Sequence, residues 1–236
     1  MEARARNPRG EGERLRDGLL DAATELLAEL HDVDAMSVRA VTRRAGVSPT
    51  ALYLHFADKD ELVVATKQRC FAALRDRLDD AADGAVDPWA RLTAMGAAYL
   101  AFAREQPGWY AVCFHTRFRG FELETCVAGA DDVPMPQRPG EDEDAPGMDV
   151  FFRLVAAVAA AGVGDEGSAV LVATILWSAL HGRAALERAM PDFPLPGEGA
   201  WLDRLSDVVR GARDDGRSAS DQRATAEAPG PGRAMR

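Results

Sequence analysis

Residues 37–56 read SVRAVTRRAGVSPTALYLHF, and this stretch decides the reading of the chain. From Ala35 to Ala57 there is no Asp or Glu, while Arg39, Arg43 and Arg44 lie inside the window, in a chain of formal net charge −10. Ser37 reads as the N-cap of a short helix whose inward residues are Val38 and Val41. Gly46 ends that helix, because a residue without a Cβ takes positive φ at no steric cost. Ser48 caps a second short helix, Pro49 to about His55, with Pro49 in the first turn, where its missing N–H costs nothing. Leu52 and Phe56 point inward. Two short helices joined by a Gly-containing turn describe a helix-turn-helix. Such a unit lays its second helix in the major groove of DNA, N-terminal residues nearest the base edges. Carboxylates on that surface repel phosphates and arginines attract them, so acid is excluded where a polyanion lies.

Working outward, the pattern is helical nearly everywhere, with no alternating strand, so the fold class is all-α. Before the motif, Leu15, Leu19, Ala22, Ala23, Leu26, Leu27 and Leu30 form one stripe of a helix over 14–30. After it, Asp58 and Glu61 resemble a capping box opening a long helix to about Leu78. Further helices are expected at about 88–105, from Pro107, and at about 148–163, 166–190 and 200–212. Residues 119–147 read as a loop, with four prolines and the acidic run EDED at 141–144. The N-terminal arm 1–13 and the Pro/Gly/Ser-rich tail 213–236 are expected to be disordered. The domain reading is therefore 14–74 for a DNA-binding unit and 75–212 for a second helical unit.

The totals exclude several classes. Hydrophobic residues make up 47 % of 236, enough to fill a core. Cys70, Cys113 and Cys126 form no CxxC pair, which points to no disulfide framework and to a reducing, cytoplasmic location. The polar start MEARARNPRGEGE lacks the apolar segment of a secretory signal. The uncharged stretch between Glu166 and Arg183 falls short of the roughly 20 residues of a membrane span, so a buried helix and no membrane partner are expected. No G-x-S-x-G, P-loop or G-x-G-x-x-G is present, which argues against an enzyme, and no cofactor or metal site is implied.

The motif region resembles the TetR family of bacterial repressors. The residues that carry the resemblance are AGVS at 45–48, LYLHF at 52–56 and K-x-E-L at 59–62, and it covers roughly residues 14–74. Thr42 departs from it, standing where an alanine often sits. Trp177, His181 and Gly182 resemble the Trp-His-Gly (WHG) signature of one class of TetR C-terminal domains. The resemblance implies a TetR-like fold, with an N-terminal three-helix DNA-binding domain and a C-terminal ligand-binding and dimerisation domain. It implies double-stranded DNA bearing a palindromic operator, a small-molecule effector and a second copy of the chain as partners.

The roles it implies can be placed residue by residue. Ser48, Pro49 and Thr50 reach base edges, the Thr50 methyl being suited to a thymine methyl. Tyr53 and His55 hydrogen-bond phosphates, and Lys59 meets a phosphate oxygen at a helix N-terminus. Ser37 presents backbone N–H groups to the same strand. Arg39, Arg43 and Arg44 stand between two readings, DNA contact and plain solvation. Tyr53 also fits a half-buried packing role, and His55 a solvated one.

The aromatic set Tyr99, Phe102, Trp109, Tyr110, Phe114 and Phe152 is where an apolar or amphipathic ligand would bind, although aromatics at helical spacing also suit plain core. Phe118, Phe121 and Phe151 belong to the same aromatic set, and Met95, Cys113 and His115 lie near it as polarisable or polar contacts. Trp177 and His181, one helical turn apart, fit pocket, core or, with Gly182, a close helix approach at a dimer seam. Trp201, Leu202, Leu205, Val208 and Val209 make a second seam candidate. Two alternatives to a ligand-released repressor remain: a ligand-independent DNA-binding protein, and a small-molecule-binding protein that does not bind DNA.

Overall fold

The structure is a computed structural model that describes residues 11–115, 147–163 and 166–211. The described residues form nine helices and no strand. They are α1 Glu11–Leu30, α2 Val38–Arg44, α3 Pro49–Leu52, α4 Lys59–Asp83, α5 Pro88–Glu105, α6 Pro107–Phe114, α7 Met148–Ala160, α8 Glu166–Ala189 and α9 over 198–211. The all-α reading holds. Helix α1 starts at Glu11, inside the segment read as a disordered arm. Residues 1–10, residues 116–146 with Phe118, Phe121 and Cys126, residues 164–165 and those from 212 onward lie outside the described residues.

Two compact units account for the described chain. One runs to Asp80 and adds Ala98–Val150; the other comprises Ala81–Ala97 and the residues from Phe151 onward. In the first unit α1 packs on α6 and α2, and α2 on α3. The contact faces are apolar: Leu19, Ala23 and Leu27 of α1, Val41 of α2, Leu52 of α3, and Leu62 and Val63 of α4 are all fully buried. Each such leucine or valine contributes about 1.5–3 kcal/mol by leaving water. Phe56 closes this core at 1 % exposure, and the Arg16 guanidinium lies over its ring, 5.2 Å from the centroid.

The turns follow from local chemistry. At the end of α2, Gly46 takes φ +70°, its N–H donates to Arg43 O, and the Val47 N–H donates to Thr42 O at 2.9 Å. This is a complete Schellman closure, and it aims α3 away from α2. Helix α1 ends differently. His31 takes φ +54° there, and its N–H donates to Leu27 O at 2.9 Å. A side chain in the left-handed region is strained, so His31→Gly should raise stability by about 0.5–1 kcal/mol in urea denaturation. An unchanged or lowered midpoint would mean that the imidazole makes a compensating contact. Gly147, at φ +98° before α7, is also required: a Cβ there would meet the Phe71 ring at 2.4 Å.

In the second unit α8 buries Ala169, Val170, Ala173, Leu176, Leu180 and Ala184. Gly96 of α5 lets α8 and α9 come close, since a Cβ there would stand 2.9 Å from Leu202 Cδ2 and 3.5 Å from Leu180 Cδ2. Arg183 is buried by polar pairing. Its Nε donates to Glu187 at 2.8 Å, its Nη2 donates to Pro196 O at 3.0 Å, and its guanidinium lies 5.0 Å from the Trp201 ring centroid.

Candidate functional site

The helix-turn-helix is built from its caps. The Ser37 hydroxyl accepts from Ala40 N at 3.2 Å, and the Ser48 hydroxyl accepts from Ala51 N at 3.3 Å. Pro49 stands in the first turn of α3. The α-helical part of the second helix is only four residues long and stops at Leu52. Tyr53 caps it, and a turn carries the chain to Phe56 through His55 N→Leu52 O at 2.9 Å and Phe56 N→Leu52 O at 3.0 Å. Leu52 and Phe56 therefore anchor the element while Ser48, Pro49, Thr50 and Tyr53 are exposed, Tyr53 by 54 %. Leu54, which sequence reasoning did not single out, is 75 % exposed beside it. It lies between buried Leu52 and Phe56, which share the inward side, and so faces away from the core.

The cations divide into two kinds. Arg39 and Arg43 are exposed and form no ion pair among the described residues. Arg44 is a fork on Glu29, with contacts of 2.9 and 3.0 Å, and lies 3.6 Å from Glu25. That hydrogen bond holds the Glu29 carboxyl below the ordinary range and raises Arg44. The geometry makes Arg44 a brace between α2 and α1. Lys59 is half-buried, and its ammonium donates to Val33 O at 3.1 Å and Met36 O at 3.4 Å, leaving one N–H of three. His55 is also half-buried, with Cε1 3.7 Å from where a Gly12 Cβ would stand. Thr42 is buried, and its hydroxyl donates to Val38 O at 3.0 Å, which satisfies the polar group inside the unit.

Asp58 Oδ1 accepts from Glu61 N at 2.8 Å, and the Glu61 carboxylate accepts from Ala57 N. Both caps turn the acids at the start of α4 toward backbone N–H groups.

The aromatic residues expected to bind a ligand are divided in the chain between the two units. In the first unit Tyr99, Tyr110 and Phe114 are mutual neighbours, with ring centroids 5.0–6.0 Å apart. Phe71 stands edge-on to Phe114 at 5.4 Å, and His115 edge-on to Tyr110 at 5.4 Å. The Tyr99 hydroxyl donates to the Tyr110 hydroxyl at 3.3 Å. Phe102 is buried under the Arg77 guanidinium, and half-buried Trp109 lies under that of Arg69. In the second unit Phe151 joins Phe152 at 6.0 Å and Trp177 at 5.2 Å, and Trp177 joins His181 at 5.6 Å. A Cβ on exposed Gly182 would meet no atom within 4 Å, so this glycine is not spent on packing within the chain.

Comparison with known proteins agrees with the motif. Residues 19–66 match the family model "Bacterial regulatory proteins, tetR family", and residues 92–209 match "Tetracyclin repressor-like, C-terminal domain". The WHG class remains a resemblance carried by three residues. An uncharacterized HTH-type transcriptional regulator of Haemophilus influenzae is 44 % identical over 50 residues, 21 % of this chain and 24 % of its own length. The chain thus spans about a quarter of that curated relative. A solved structure of a protein with unknown function from Rhodococcus sp. RHA1 is 26 % identical, with TM-score 0.63, over 88 % of this chain and 100 % of its own. A TetR family transcription regulator from Marinobacter aquaeolei VT8 shares the fold at TM-score 0.63 and 16 % identity, over 87 % of this chain and 98 % of its own.

Proposed function

The chain belongs to the tetR family of bacterial regulatory proteins and is a DNA-binding transcriptional regulator; on that premise we propose that it is a cytoplasmic homodimeric repressor, released from an inverted-repeat operator by a small apolar or amphipathic ligand. We assign DNA reading to residues 14–74, and ligand binding and dimerisation to 75–212. The observation that carries the reading is the carboxylate-free run 35–57, on which Ser48, Pro49, Thr50 and Tyr53 are exposed over a buried Leu52 and Phe56.

The DNA contacts separate into base readers and phosphate holders. Thr50→Ala should relax preference at one base position and cost about 1–3 kcal/mol on the best site. Lys59→Ala should weaken all sequences alike and lower the salt slope by about one unit, through the one ammonium N–H that the carbonyls leave. A change in the preferred sequence on Lys59→Ala would refute its role as a phosphate holder. Arg39 and Arg43 are assigned to phosphates on their exposure. Arg44 acts through its brace on Glu29 rather than by contact.

The effector is assigned to the cluster of Tyr99, Phe102, Trp109, Tyr110 and Phe114, whose Tyr99–Tyr110 hydroxyl pair supplies a polar handle in an apolar setting. Phe71 connects this cluster to α4, the helix that begins at Lys59. A ligand that moves Phe114 moves α4 and so the spacing of the two recognition helices in a dimer. Affinity must then differ between the two states; tenfold weaker DNA binding requires about 1.4 kcal/mol of coupling. Operator DNA must weaken the ligand by the same factor. Ligand affinity measured with and without saturating operator, at one salt concentration, tests this. Equal affinities would favour ligand-independent DNA binding instead.

A further inference from the structure

We infer, on the DNA-reading role proposed above for this element, that Leu54 selects a thymine by its C5-methyl group and so fixes one base pair of each half-site. Leu54 is 75 % exposed, the most exposed large apolar side chain among the described residues of the first unit. It stands in the turn that carries the chain from α3 to Phe56. Leu54 N donates to Ala51 O at 3.4 Å, His55 N to Leu52 O at 2.9 Å and Phe56 N to Leu52 O at 3.0 Å, so the helical winding continues past the end of α3. Two residues turn such a winding by about 200°. Leu54 is two residues from Leu52 and two from Phe56, both buried, and therefore faces the opposite way. Thr50, also two residues from Leu52, is exposed on that outward side as well. Thr50 and Leu54 thus follow one another by about one turn along the surface assigned to the major groove.

The setting is cationic and this side chain is not. No Asp or Glu occurs from 35 to 57, and Arg39 and Arg43 are exposed in that run. A surface of that charge suits the phosphate backbone of DNA. Leu54 carries no side-chain donor or acceptor, so it reads neither phosphates nor the polar base edges. The apolar group that the major groove offers at its base edges is the C5-methyl of thymine. A leucine set against that methyl removes both from water. The same leucine set against the amine of cytosine or adenine strips a polar group of water and returns no hydrogen bond. The choice of T·A therefore comes from exclusion as much as from attraction. Thr50 has a hydroxyl beside its methyl and can hydrogen-bond other base edges; Leu54 cannot.

The test uses the full chain and a duplex that it selects from a random pool, with each thymine replaced in turn by uracil. Uracil keeps the pairing edge and lacks only the methyl. At one thymine of each half-site, uracil should weaken binding by the unaltered protein about fourfold, the effect of one buried methyl, and about fifteenfold when both half-sites are changed. Leu54→Ala should bind the thymine duplex more weakly and show no further loss on uracil at that position, while keeping its response at other positions. Leu54→Met, which restores an apolar reach, should recover the discrimination; Leu54→Gln, of similar size, should not. All three variants should melt as the unaltered protein does, because the side chain is in water. A selected site in which no thymine responds to uracil would overturn the proposal. So would Leu54→Ala responding at every thymine as the unaltered protein does, and so would a lowered melting temperature in Leu54→Ala, which would make the leucine a packing residue. A pool that yields no enriched sequence would refute the DNA-reading role itself, and this assignment with it.

Discussion

Ile175→Arg should leave the chain folded, convert a dimer into monomers, and cost operator affinity by about 100-fold or more. Helix α8 is apolar on two faces. One buries Ala173, Leu176 and Leu180 inside the second unit; the other leaves Leu171, Ile175 and Leu186, with Met190 just past the helix end, between 38 % and 57 % exposed. These four recur at helical spacing, Gly182 lies among them with open space above it, and Val208 of α9 is 65 % exposed. A surface of this kind suits a second copy, and on the proposed seam Gly182 would let a facing helix approach. An arginine at 175 stays in water in the monomer, so the fold does not suffer. In the seam it becomes a buried, unpaired charge worth about 3–5 kcal/mol. Sedimentation reads the result, and a variant that stays dimeric places the seam elsewhere. Leu205 is the less clean probe: it is half-buried and lines a recess with Trp89, Leu92 and Leu202, so a charge there disturbs the fold as well.

Leu52→Ala and Tyr53→Ala, adjacent on the recognition element, should fail in opposite ways. Leu52 is fully buried and is one of two large side chains that hold a four-residue helix to the core. Truncating it should cost about 2–5 kcal/mol, a large part of the roughly 5–15 kcal/mol that a domain has, and abolish DNA binding through loss of structure. Tyr53, 54 % exposed, should leave the melting temperature unchanged when cut to alanine. If it holds a phosphate as proposed, its loss should cost about 1.5–3 kcal/mol per half-site. Thermal melting alongside DNA titration separates the two. A lowered melting temperature for Tyr53→Ala would make the tyrosine a packing residue after all.

The reading element was legible because its signals are local. Ser37, Gly46, Ser48 and Pro49 act within a few residues of themselves, and each is found in the role its chemistry demands. Partners distant in sequence were not legible. Nothing in the run TRRAG tells that Arg44 turns back to Glu29, or that Lys59 reaches the carbonyls of Val33 and Met36. The same limit governs the aromatic set. Helical spacing tells which residues share a face, not which face they meet, so Tyr99 and Trp177 read alike in sequence and fall in different units. The compact units also differ from the division at residue 74 that the sequence led us to propose, because α4 and α5 each run from one unit into the other.

Operator binding across salt concentrations tests the central claim most directly. A duplex selected from a random pool should carry an inverted repeat with half-sites about one helical turn apart. Its affinity should fall linearly in log–log form with salt, each neutralised phosphate contributing roughly 0.9 to the slope. Footprinting should show both half-sites filling together at one protein concentration. Selection without an enriched sequence, or a selected site bound tightly by a monomer at a single half-site and indifferent to salt, would contradict the account.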